Sequence, residues 1–143
     1  MRNIRVSVVL GIIVSFLGCA DSQRIVRFEN TGMPVRMSSS DSVYIAISRD
    51  GIYGSRTYQG SGLMTSRILF SAFTKRLRRT EIGHSYQSFD DALGFALKGG
   101  FKYVVYPTIL HWEDRATEWS AIPDRVEVKI DIIEAATATL LDS

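Results

Sequence analysis

Two neighbouring runs of opposite hydrophobic pattern constrain this chain most. Lys102-Tyr-Val-Val-Tyr-Pro-Thr-Ile-Leu110 is apolar on both faces, which fits a strand buried inside a sheet. Val126, Val128, Ile130 and Ile132 alternate with Glu127, Lys129 and Asp131. That strand has one buried face and one wet face, as in an antiparallel pair. Between the runs lies Ile109-Leu-His-Trp-Glu-Asp-Arg-Ala-Thr-Glu-Trp-Ser120, which holds both tryptophans of the chain. The two strands are expected to form a long hairpin joined through residues 113–124. Pro107 has no ladder donor and implies a bulge or a locally unpaired edge.

Upstream, the pattern alternates strand and helix. Ser42-Val-Tyr-Ile-Ala-Ile-Ser48 is apolar, partly β-branched and bounded by turn formers, so it reads as a buried strand. Asp50 to Gly54 reads as a loop. A helix is expected from about Ser61 to Arg78, with Met64, Ile68, Leu69, Ala72, Phe73 and Leu77 as its buried face. Glu81 to His84 is a candidate short strand. Ser88-Phe-Asp-Asp91 is a capping box that opens a second helix, and Gly99-Gly100 stops it. Phe89, Ala92, Leu93, Ala96 and Leu97 make the face of that helix. Residues 135–139 turn, and Leu140-Leu141 begins a further element. The order β-α-β-α-β-β predicts an α/β (α+β) domain over residues 42–143. Its sheet would carry two packed helices in two or three layers, with right-handed parallel crossovers.

The first 18 residues read as an address. Arg2 and Arg5 precede an apolar run from Val6 to Leu17, which matches a secretory signal and is too short to span a bilayer comfortably. Those two arginines account for the formal charge of +2, so the mature domain is neutral. A neutral domain gives no electrostatic case for nucleic acid. The single cysteine, Cys19, has no disulfide partner in its own chain. Phe16-Leu17-Gly18-Cys19 resembles the bacterial lipobox, with Phe16 where Leu is usual. The resemblance implies that Cys19 is lipidated and becomes the first residue. Ala20, the residue after it, then favours the outer membrane by the sorting rule of such lipoproteins. Residues 19–41, polar and unpatterned, are expected to tether the domain to the lipid, with Ile25-Val-Arg-Phe28 a candidate short strand.

Tyr53-Gly54, Tyr58-Gln-Gly-Ser-Gly62, the 109–120 stretch and Pro123-Asp-Arg125 together resemble the DUF4823 group of uncharacterised proteobacterial lipoproteins. The likeness runs from the lipobox to the last residue. It implies no catalytic residues, because the group has no established activity. Members run some tens of residues further, so the resemblance implies a C-terminus that is incomplete here. Gly100-Phe-Lys-Tyr-Val-Val105 and Val126 to Ile133 also resemble the plan of the TolB N-terminal domain and of the curli lipoprotein CsgG. That wider likeness bears on fold alone.

Several groups have the chemistry of a site. His111 and Glu113 would share one side of a strand, which permits chelation, but a metal site needs three or four ligands and only His84 remains as a second imidazole. The plainer reading is a polar network in which Glu113, Asp114 and Glu118 pair with Arg115 and Arg125 while Trp112 and Trp119 pack against it. Tryptophan and arginine also anchor interfaces, so His111, Trp112, Glu113, Asp114, Arg115, Glu118, Trp119 and Arg125 are the candidate partner-binding residues. Gly60-Ser-Gly62 lacks the lysine and hydroxyl of a P-loop, and Ser61 lacks the Gly-X-Ser-X-Gly spacing of a nucleophile elbow. Ser61 reads instead as a helix cap. Lys75 to Arg79 read as cations at a helix C-terminus, with anionic headgroups as the alternative.

The reading is therefore a cell-envelope lipoprotein, anchored in the bilayer and facing the periplasm. It is expected to bind without catalysis and to hold no cofactor or metal. Its partner would be an envelope protein, a glycan or another copy of itself. The alternatives are a hydrolase or metal-dependent enzyme centred on His111 and Glu113, and an accessory subunit of an envelope export assembly. An enzyme needs those groups in a concave pocket, whereas a binding module would show them already satisfied.

Overall fold

A computed structural model of the protein describes residues 24–26, 35–114 and 124–143. The elements are β1 (Ser42–Ile47), β2 (Gly51–Tyr53), β3 (Arg56–Tyr58), α1 (Ser61–Thr74), β4 (Arg79–Tyr86), α2 (Phe89–Lys98), β5 (Tyr103–Glu113), β6 (Arg125–Glu134) and β7 (Thr139–Asp142). Five strands make one open mixed sheet in the order β4-β1-β5-β6-β7, and β2 and β3 form a separate two-stranded hairpin. β1 pairs in parallel with β4 on one side and β5 on the other, while β5, β6 and β7 are antiparallel neighbours.

The topology follows from the crossovers. The chain leaves β1 through α1 for β4, then passes through α2 in the opposite direction to β5. Two right-handed crossovers of opposite direction put their helices on opposite faces. The core is accordingly split by the sheet. Val43, Ile45, Tyr103 and Val105 pack toward Leu69, Phe70 and Phe73 of α1. Tyr44, Ala46, Val104 and Ile133 pack toward Ala92 and Ala96 of α2. The period-two alternation of β1 thus feeds both faces, which is why every residue from Val43 to Ile47 is buried. The domain has three layers.

The buried face of α1 is in part the expected one: Leu69, Phe73 and Leu77 pack into the core. Met64, Ile68 and Ala72 point outward, with Ile68 64% exposed. The contact row is instead Ser61, Gly62, Thr65 and Ser66, continued by Leu69, Phe70 and Phe73. The reason is close approach. A Cβ on Gly62 would overlap the carbonyl oxygen of Ser48, and the fully buried Ser66 hydroxyl donates to the Ala46 carbonyl at 2.8 Å. Small side chains let the first two turns of this helix sit directly on the end of β1, so Met64 and Ile68 face away, while Leu69, Phe73 and Leu77 lie on the buried side as expected. The helix ends at Thr74, four residues before the expected Arg78.

The second helix is nearer to expectation. The Ser88 hydroxyl accepts from the Asp91 amide at 3.2 Å and meets its carboxylate at 2.6 Å. Ala92 and Ala96 are buried, Phe89 packs edge-on against Tyr106, and Leu97 is exposed rather than part of the face. β4 is a full eight-residue edge strand where a short one was expected. β5 runs on through Glu113, three residues past the apolar run that ends at Leu110, and β6 begins at Arg125, so the connection falls where it was expected. The register shift of β5 falls between Ile109 and His111 rather than at Pro107. β1 has already left β5 by Pro107, since their pairing ends at Val105, so no strand there calls on the missing donor.

Candidate functional site

The residues at the far end of β5 are gathered by a feature that was expected to be a loop. Beyond Ile47 the chain turns into the β2–β3 hairpin, which folds against the part of β5 that β1 no longer covers. The fit is tight. Gly51 lies so close to Trp112 that a Cβ there would overlap the Trp112 Cβ and stand 2.9 Å from its Cγ. The Gly51 amide donates to the Ser61 hydroxyl at 2.8 Å, and the Gly62 amide donates to the Asp50 carboxylate at 2.9 Å. Ser61 is thus a strut between hairpin and helix and not a side-chain cap; α1 has none, and Gly60 supplies the turn with φ 86. Gly54, also left-handed at φ 59, makes the hairpin tip.

Alternation along β5 puts His111 and Glu113 on one face and Trp112 on the other. His111 Nε2 lies 3.2 Å from Glu113 Oε2. Glu113 is 4% exposed. The Tyr53 ring meets the His111 ring edge-on at 5.4 Å between centroids. Across the hairpin, His111 stands opposite Glu127 and Glu113 opposite Arg125, and Arg125 pairs with Glu127 at 3.3 Å. The four side chains form a checkerboard in which each carboxylate neighbours an imidazole or a guanidinium. Glu127 was not among the candidates; the two-residue strand period from Arg125 is the signal that places it there. Arg115, Glu118 and Trp119 lie outside the described residues, so the expected pairing of Arg115 and Glu118 falls there too. Among the described residues, no group of three or more His, Cys, Asp or Glu side chains is placed to hold a metal ion.

On the Trp112 side the corner is open. A shallow groove runs along β3 and the start of α1, lined by Arg56, Tyr58, Gln59, Met64, Trp112 and Asp114. The Arg56 guanidinium stacks 4.8 Å over the Tyr58 ring. The Tyr58 hydroxyl reaches the Asp114 carbonyl only at 3.5 Å, too long to fasten the hairpin by itself.

In doubly wound sheets a ligand sits outside the carboxyl ends of the strands, at the point where the crossovers diverge. Here that crevice, between β1 and β4, is filled. The buried Tyr44 hydroxyl donates to Gln87 Oε1 at 2.8 Å, Tyr106 donates to the Gln87 carbonyl at 3.3 Å, and Arg49 stacks 4.9 Å over Tyr86. Burial pushes the hydroxyls of Tyr44 and Tyr106 above the ordinary tyrosine range.

Sheet, helices and clamped hairpin define an open three-layer α/β/α domain with an antiparallel extension on one side. Residues 35–143 match the family described as a domain of unknown function, DUF4823. The chain belongs to that family. No curated protein sequence matches it. Among solved structures, a PelC dodecamer from Paraburkholderia phytofirmans, a single-residue variant in space group C2, is 13% identical. That match covers 81% of this chain and 76% of the other, with a TM-score of 0.59. A second PelC dodecamer from the same organism, in space group P6, is 12% identical over 77% of this chain and 71% of the other, with a TM-score of 0.58. At such identity the likeness is one of fold.

Proposed function

We propose that the protein is a lipid-anchored module of the cell envelope, held through acylated Cys19 and facing the periplasm, that works by binding and not by catalysis. The observation that carries this reading is the state of the His111–Glu113 pair. The carboxylate is buried and meets the imidazole at 3.2 Å, and Tyr53 packs on that imidazole. A catalytic acid or base has to reach a substrate; these groups serve each other and brace the corner. What the corner offers outward is Arg56, Tyr58 and half-buried Trp112, the residue types that anchor interfaces.

The favoured partner is another copy of the chain, because both PelC structures of similar fold are dodecamers. The test is the mass of the acylated protein extracted in mild detergent, measured by light scattering. Wild type is expected at several times the monomer mass, and an Arg56→Glu, Tyr58→Ala variant with unchanged circular dichroism at one monomer mass. A monomeric wild type would overturn self-association and leave an envelope protein or a glycan as the partner of the groove. Mass spectrometry of the mature N-terminus tests the anchor separately.

A further inference from the structure

The outward face of α1 is apolar and cationic without a role in the fold. Met64, Arg67, Ile68, Ser71, Ala72 and Lys75 follow one another at helical spacing, and all six are exposed. From Ser61 to Thr80 the sequence has five cations and no acid. The nearby acids are engaged: Asp50 accepts from the Gly62 amide, and Glu81 lies 3.6 Å from Arg79. The other side of the domain has the opposite character, since α2 opens with Asp90 and Asp91.

The tether emerges on the α1 side. Arg24, Ile25 and Val26 line a cavity with Ile130 and Ile132, the β6 residues that pack into the same core cluster as Leu69, Phe70 and Phe73 of α1. Cys19 lies five residues before Arg24, and five residues reach at most about 17 Å. A helix with its side chains is a layer about 10 Å thick. The reach from anchor to sheet is therefore little more than the thickness of α1. Turning the α2 side to the lipid would require the tether to pass around the whole sheet edge.

We infer that α1 is the surface that rests on the membrane, with Met64 and Ile68 entering the headgroup region and Arg67, Lys75 and Arg76 against anionic lipid phosphates. This rests on the lipid anchor proposed above. A basic amphipathic helix lying in the interface plane has this composition, and each cation near an anionic surface adds to the attraction. The anchor supplies the attachment; α1 sets which way the domain faces and leaves the β2–β3 corner accessible beside the lipid.

The experiment uses the acylated full-length protein in vesicles of phosphatidylethanolamine and phosphatidylglycerol with brominated acyl chains. Acylation occupies Cys19, so Ile68→Cys or Lys98→Cys provides the one free thiol for an environment-sensitive fluorophore. The label at position 68 is expected to be quenched at least threefold more than the label at 98. Adding Arg67→Glu and Lys75→Glu should remove most of that difference. Equal quenching, or stronger quenching at 98, overturns the orientation. A spectral shift at position 68 that appears in detergent and grows with protein concentration also overturns it and assigns the face to a second copy. A chain that carries no acyl mass and leaves the vesicles refutes the anchor itself, which is a different failure.

Discussion

At the scale of single residues, the tightest side-chain contact at the β5 corner is Gly51 against Trp112. Gly51→Ala forces a Cβ into the indole, and overpacking of this kind costs about 1–3 kcal/mol. Urea denaturation should show a lower midpoint with an unchanged slope. Tyr44 gives a second prediction, with a pH signature. Tyr44→Phe leaves buried Gln87 Oε1 without its donor, a loss of about 1–3 kcal/mol at neutral pH. Burial holds the Tyr44 hydroxyl above its ordinary value of 10.0 in the folded chain. The unfolded chain therefore ionises first. The stability tied to that group is intact below about pH 10 and is lost as the pH rises through and beyond that value. The Phe variant should lose stability less steeply than wild type between pH 9 and 11, as read from urea midpoints. Equal slopes would mean that Tyr44 ionises alike in both states. Sequence reveals part of this scale. The shared side of His111 and Glu113 follows from the two-residue period of a strand. The contact of Gly51 with Trp112 joins residues 61 positions apart and has no local signature.

At the scale of elements, legibility depended on whether the packing rule was local. The Ser88 cap is a local rule and appears as read; the β6 alternation is only partly kept, since Val126 is exposed, Lys129 and Asp131 are as half-buried as Ile130 and Ile132, and Ile133 is buried on the other face. The face of α1 is not local. Leu69, Phe73 and Leu77 pack as the apolar stripe suggested, but over the first two turns the sheet accepts small residues in place of Met64 and Ile68, because β1 approaches closely there. The hairpin was illegible for another reason: two strands of three residues are too short to show a period. Two glycines test the packing argument with opposite signs. Gly62→Ala meets the Ser48 backbone and should destabilise by at least about 1–3 kcal/mol. Gly94, inside α2, has nothing within 4 Å of the place a methyl group would take, so Gly94→Ala should stabilise by about 1 kcal/mol through helix propensity. Thermal melts of the two variants should move in opposite directions. A harmless Gly62→Ala would show that α1 can lift from β1 without cost.

At the scale of the whole molecule, the sheet is two halves joined at β5. The parallel half is β4-β1-β5, and the antiparallel half is β5-β6-β7. The order of strands and helices was readable because each half has its own pattern; their union was not, since it depends on distant contacts. One core cluster spans the seam, with Tyr44 and Ala46 from β1, Val104 from β5 and Ile133 from β6 packing against Ala92 and Ala96. A core shared in this way couples the halves, so the domain should unfold in one step. The distal end of β5 is the severe test, because β1 does not reach it and, among the described residues, the hairpin is what covers that side. In a Trp119→Phe variant, Trp112 is the sole tryptophan and reports that end alone. Its fluorescence transition in urea should coincide with the far-ultraviolet circular dichroism transition. Loss of the Trp112 signal at distinctly lower urea would show that the corner opens as a separate unit. In that case the groove would be shaped by its partner, and the short contacts of Gly51 and Ser61 would not be strong enough to hold it ready.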